Sequence, residues 1–244
     1  MGILIDNGRV SGNRELTNPR WAVAEAIAAG VLRRYSSQIH AIGVHGSMAH
    51  GDDEETSGVD LAVVTGQPGG GPSPTRRRIS GVLVVLDVIS VPEYLAMAAT
   101  LTPSWPLTAD RYLTTRPIYD PMGWHGRLRD THLGRLAEAT RAQFAAPARQ
   151  AWCQAAAARD RAVRLAQWHD TDGALLAVGE ARLATALVHG LLTRTYYRSG
   201  ADALGRTGLG DIDLVDLSTR LAELATELGN RGHPVDGQVN DLFD

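Results

Sequence analysis

Two segments of the chain carry side chains whose type and spacing could do chemistry. Gly46-Ser47-Met48-Ala49-His50-Gly51 closes an apolar run from Ile39 to Val44, and Ser57-Gly58-Val59-Asp60-Leu61 opens the next. A strand that ends in Gly-Ser and turns into a helix offers backbone N–H groups and a hydroxyl to an anion, commonly a phosphate. Carboxylates at alternate positions of the following strand point to one side and can hold divalent metal over that anion. Asp87, the one charge between Gly81 and Ser90, can add a carboxylate from a third strand. Phosphoryl and nucleotidyl transfer on two metal ions is assembled from such parts.

Each of these residues also has an ordinary structural reading. Asp60 and Asp87 lie in strongly apolar strands, where an ionised carboxylate is costly unless it is paired or metal-bound. A loop amide or an arginine could satisfy them as well as a metal could. His45 and His50 flank the turn. An imidazole beside two carboxylates suits general acid–base work because it titrates near neutrality; otherwise His45 packs near the core and His50 caps the turn. Asp52, Asp53, Glu54 and Glu55 form an acidic run of the kind that usually makes a solvated face. Trp105, Trp152 and Tyr119, with Tyr112 and Trp168, are candidate pocket-lining aromatics, although aromatics in a core are common. Arg76-Arg77-Arg78 is too short a basic run to argue for nucleic acid and reads as a solvated hairpin.

The elements that must position these groups follow from pattern. Asn18-Pro19 and the apolar spacing of Trp21, Ala24, Ile27, Ala28, Val31 and Leu32 predict a capped helix with Pro at its first position. Strands are expected over 39–44, 59–65 and 81–90, with 66–72 as an exposed hairpin loop and a short helix opened by Pro92-Glu93. Residues 105–120 read as a linker with one short strand at Ile118-Tyr119. Helices are expected over 127–143, 147–168, 173–198 and 214–228. Strands mixed with helices, followed by helices alone, give an α+β chain: an N-terminal domain over 1–122 with a mixed sheet and flanking helices, and a C-terminal helical bundle over 123–244, with a ligand cleft between them.

Composition narrows the chemistry. The chain has 244 residues, a formal net charge of −3, and 24 basic residues, all of them arginine. The absence of lysine excludes a Schiff-base lysine, a Walker-type phosphate lysine and a lysine general base. The single cysteine, Cys153, excludes intrachain disulfides and a cysteine-built zinc site. No run of about 18 apolar residues is present, so no membrane span is expected. The opening stretch, interrupted by Asp6 and Arg9, does not read as a signal peptide. A cytoplasmic protein is expected.

The segment from Gly46 to Asp60 resembles the nucleotidyltransferase superfamily, and within it kanamycin nucleotidyltransferase and related aminoglycoside nucleotidyltransferases. Ala41-Ile42-Gly43-Val44-His45-Gly46-Ser47, Ser104-Trp105-Pro106-Leu107-Thr108, Arg116-Pro117-Ile118-Tyr119-Asp120 and the later His189–Tyr197 stretch look like consecutive landmarks of that family. The resemblance implies the family fold, a homodimer, and Mg²⁺ with ATP held at Asp60 and Asp87. The chain departs from the pattern where the chemistry should be. Gly58 stands where a further carboxylate is usual, His50 where a phosphate-contacting arginine is usual, and 149–164 has no carboxylate before Asp160 and no lysine.

These departures together fit loss of triphosphate chemistry. The expectation is therefore a metal- and nucleotide-independent enzyme that uses Asp60, Asp87 and His50 for acid–base or shape-directed chemistry, such as cyclisation or isomerisation. Its ligand would be held near Gly46, Ser47, Trp105, Trp152 and Tyr119, with no metal and no cofactor. The Ala-rich 149–164 segment suggests an uncharged or weakly charged, natural-product-like ligand. One alternative is an active Mg²⁺-dependent nucleotidyltransferase acting with ATP on a hydroxyl of an antibiotic-like substrate. Another is a non-catalytic small-molecule binding protein. The expected partners are a small-molecule substrate and a second copy of the chain, not nucleic acid or membrane.

Overall fold

A computed structural model describes residues 18–242. The opening stretch with Asp6 and Arg9 lies outside the described residues. Among them, one compact unit comprises 18–97 and 114–128, and a second comprises 98–113 and 129–242.

In the first unit, helix α1 (Pro19–Tyr35) begins where the Asn18 side chain accepts a hydrogen bond from the Arg20 amide, with Pro19 in the first turn. Five strands follow: β1 (Ile39–His45), β2 (Val59–Thr65), β3 (Thr75–Ile79), β4 (Val82–Ser90) and β5 (Arg116–Tyr119). They form one sheet in the order β3-β4-β2-β1-β5. Only β2 and β4 run parallel, so the sheet is mixed. One face packs on α1, where Ala24, Ala28 and Val31 meet Ile42, Val44, Leu61, Val63, Val84 and Leu86. Each fully buried valine, leucine or isoleucine among them contributes about 1.5–3 kcal/mol. Strand alternation then sends the remaining side chains to the opposite face.

The connections include α2 (Ser47–His50) after β1 and α3 (Val91–Ala98) after β4. The 66–72 segment is not the hairpin loop expected from its glycines and prolines. Because β2 and β4 are parallel, it leads instead to β3, and β3 and β4 form the hairpin that carries Arg76–Arg78.

The 105–120 segment is corrected as well: it holds a helix, α4 (Trp105–Thr114), before β5. Pro106 reads as a breaker in sequence, but it sits in the first turn, where a missing N–H costs nothing. Trp105, Ala109 and Tyr112 bury one side of this helix.

The second unit continues with α5 (Trp124–Glu138, from residue 129 onward), α6 (Arg141–Gln167), α7 (Thr171–Thr193), α8 (Gly200–Thr207) and α9 (Leu214–Asn230). Helix α8 was not expected, and α6 runs unbroken through Pro147. A reciprocal capping box between Thr140 and Gln143 starts α6, and burial of Ala145, Pro147, Ala148 and Ala151 carries it past the proline. Ala155, Ala158 and Ala162 extend the same small-residue stripe, against which α7 lies closely. Leu217, Leu221, Leu224 and Leu228 of α9 complete the core. Among the described residues, one helix, α7, is long and apolar enough to cross a membrane by length and composition. Half of its apolar stretch is buried within the fold.

Candidate active site

The sheet face turned away from α1 brings the sequence-singled carboxylates together. Strand register aligns His45 with Asp60, Asp60 with Val85, and Val85 with Arg76, forming one row across four strands. The next row runs Gly43, Ala62, Asp87. Asp60 and Asp87 therefore lie on one face of adjacent strands, one row apart.

His45 joins them: its Nε2 is 3.9 Å from Asp87 Oδ2, although β2 lies between their strands. On this face β2 presents Asp60 and the small Ala62 between them, while the space over Gly43 is taken by Thr115 and the His125 ring. His45 is largely buried and Asp87 about one-third exposed, so the pair sits at the edge of solvent.

The Gly46-Ser47 turn is shaped around Asp60. Gly46 has φ 72° and ψ −152°, a conformation open essentially to glycine alone. A Cβ there would also stand 3.0 Å from Asp60 Oδ2. The turn thus holds its backbone against the carboxylate. Ser47 opens the four-residue α2, and its carbonyl accepts from the amides of Gly51 and Asp52. His50 ends that helix, partly exposed, and the Gly46 carbonyl accepts from its amide at 3.3 Å.

Position 58 lies on the same face, two residues before Asp60. A Cβ on Gly58 would meet the Leu83 carbonyl oxygen at 3.0 Å, so a side chain there requires β4 to give by a few tenths of an ångström. Among the described residues, no group of three or more His, Cys, Asp or Glu side chains is placed to hold a metal ion.

The acidic loop is only partly a solvated face. Asp52, Glu54 and Glu55 are exposed, but Asp53 is held by Asn18 Nδ2 at 2.7 Å and Arg20 Nη1 at 3.4 Å. Arg20 also donates from Nε to the Ser57 carbonyl, which ties the loop to α1.

Sequence reasoning missed a buried pair beside the site. His125 is 8% exposed, and its Nδ1 is 3.0 Å from Asp120 Oδ2. Asp120 also accepts from the amides of Trp124 at 2.6 Å and His125 at 3.1 Å, capping the start of α5. Burial pushes the Asp120 carboxyl up, but those amides and the His125 ring outweigh it and hold it below its ordinary range. Burial pushes the His125 imidazole down, and Asp120 only partly restores it. The neutral ring therefore donates from Nδ1 and turns Nε2 toward Gly43, where a Cβ would stand 2.6 Å away. That nitrogen is buried without a hydrogen-bond partner among the described residues. The only sequence signal was an Asp placed five residues before a His at a helix start.

The aromatic candidates are distributed differently. Tyr119 lies half-buried on β5 against the α1-side core. Trp105 and Trp152 belong to the second unit. Trp105 is buried there, donating from Nε1 to His132 Nε2 and meeting Phe144 edge-on. Trp152 donates to the Leu221 carbonyl at 2.8 Å. The alanines of α6 at 151, 155 and 158 are spent on helix packing and so say nothing about a ligand. The exposed side of α6 instead lines a groove of about 890 Å³, where Arg149, Gln150 and Cys153 face 234–239.

No protein-family model matches the chain, and no curated protein matches it. Among solved structures, it is similar to a nucleotidyltransferase-like protein from Exiguobacterium sibiricum 255-15. The TM-score is 0.44 with 13% identity, over 85% of this chain and 75% of that one.

Proposed function

We propose that the chain is an enzyme of nucleotidyltransferase-type fold that works without divalent metal or nucleotide, running acid–base chemistry on a small natural-product-like molecule at His45, Asp60 and Asp87. One observation carries the reading: an imidazole approaches Asp87 to 3.9 Å on the face where metal would be held, while position 58 offers no donor. Two carboxylates one row apart, with an imidazole reaching Asp87 from β1, do not fit a pair of divalent ions, which need further oxygen ligands.

The residues present suit proton transfer instead. Asp87 can orient the His45 ring and stabilise its imidazolium, as a carboxylate does for a general base. Asp60, set against the Gly46 backbone, is the second proton-handling group on the same face. His45 joins His50 as a candidate ring for this role, because register sets it opposite Asp60 and its Nε2 lies 3.9 Å from Asp87 Oδ2. Isomerisation or cyclisation keeps all atoms in one molecule and needs no co-substrate, which matches this inventory.

Calorimetric titration with ATP or GTP, in the presence of Mg²⁺ or Mn²⁺, tests the proposal. No saturable heat is expected. Stoichiometric nucleotide binding that requires the metal would overturn the reading in favour of nucleotidyl transfer.

A further inference from the structure

We infer that Arg76 and Arg78 form the anion-binding end of this site, so that its substrate is an amphiphilic organic acid: a carboxylate at the edge strand, an apolar body over Leu83 and Val85, and the reacting end at His45, Asp60 and Asp87. The inference rests on the reading of that sheet face as the reacting site and adds the substrate class.

The argument starts from strand register. Arg76 pairs with Val85 and Arg78 with Leu83, so both point to the Asp60 face, whereas Arg77 pairs with Val84 and points to the α1 side. All of β3 is exposed, and it is the outer strand of the sheet. Between the arginines and Asp60 lies β4, which on this face presents Leu83, 51% exposed, and Val85, partly exposed, before reaching Asp87.

Adjacent strands are about 4.8 Å apart, so β3 and β2 stand roughly 10 Å from each other. That span matches a short apolar chain or a ring system with a charged group at one end. Arg78 donates from Nη2 to the Gly81 carbonyl at 2.8 Å, which anchors one arm of its guanidinium at the β3–β4 turn and leaves its other donors for a ligand. Guanidinium pairs favour carboxylates through charge-assisted, often bidentate hydrogen bonds. A polar–apolar–cationic sequence across one sheet face is thus complementary to an acid and not to a polycation.

The rival account is that three arginines simply protect an edge strand from pairing with another chain. It treats Arg76, Arg77 and Arg78 alike, whereas the inferred site uses only the first and third. The test titrates ¹⁵N-labelled protein with octanoate and with its neutral analogue octanamide, followed by amide shifts. The wild type, the double variant R76Q/R78Q and the single variant R77Q are compared.

Octanoate is expected to shift β3, β4 and β2 amides and to bind more tightly than octanamide. R76Q/R78Q should weaken octanoate by about tenfold or more and leave octanamide unchanged, while R77Q stays near wild type. Absence of octanoate binding to the wild type overturns the inference. So does equal binding of acid and amide, or an equal loss in R77Q. Failure of the underlying reading would show separately, as metal-dependent ATP binding by the wild type, whatever the arginine variants do.

Discussion

Histidine burial decides how this protein responds to acid. His132 receives a hydrogen bond from Trp105 at Nε2 and, 2.7 Å from the Ala98 carbonyl, must donate from Nδ1; only the neutral ring can do both. Burial lowers its proton affinity, as it does for His125 and His189. A histidine whose folded value is depressed binds protons more readily when unfolded, so its contribution is full above about pH 6.5 and is lost as pH falls toward the folded value. The thermal midpoint should therefore drop between about pH 6.5 and 5, before the carboxylates titrate. H125N should flatten part of that slope; an unchanged slope in the variant would remove His125 from the account. Asp60 and Asp87 were legible in the sequence because each is a lone charge in an apolar strand. His45 was not assigned to them because its approach to Asp87 depends on the strand order and register, which do not show in local pattern.

At the level of elements, two glycines fix how β1 and β4 frame the site. G46A places a side chain in a glycine-only conformation and drives it toward Asp60 Oδ2. Backbone strain of this kind costs about 1–3 kcal/mol, to be read as a lower denaturant midpoint with an unchanged slope. G58D meets the Leu83 carbonyl and should cost about 1–3 kcal/mol as overpacking. A G58D protein as stable as wild type would show that β4 yields freely and that position 58 could have carried a ligand. The capped α1 and the strands β1, β2 and β4 follow directly from caps and apolar runs. Helix α4 and the unbroken α6 did not, because Pro106 and Pro147 read as breaks, while first-turn placement and burial of a small-residue stripe override them. The parallel pairing of β2 with β4 was hidden for a similar reason: a Gly/Pro-rich segment signals a turn but not the direction of the strand that follows.

For the whole molecule, the α+β class followed from strands mixed with helices and then helices alone, and the structure has that architecture. The apolar surface it leaves uncovered bears on assembly. Trp168 at the end of α6 is 72% exposed, and Leu175 and Leu176 at the start of α7 are 66% and 68% exposed. Exposed apolar side chains at the end of one helix and the start of the next favour association. A two-fold dimer is expected, and light scattering at micromolar protein should give twice the 26.1 kDa chain mass. L175E/L176E should then shift the mass toward a single chain, and a wild type already monomeric would contradict the expectation.

The central claim is that proton-handling side chains, not a metal pair, occupy the open sheet face. A Mn²⁺ titration followed by electron paramagnetic resonance, with and without ATP, addresses it without knowledge of the substrate. The account predicts that the spectrum matches the protein-free control, Mn²⁺ alone or Mn²⁺ with ATP, and that D60N and D87N do not alter it. Two spin-coupled ions, about 3.5–4 Å apart as in two-metal enzymes and abolished by D60N or D87N, would contradict it.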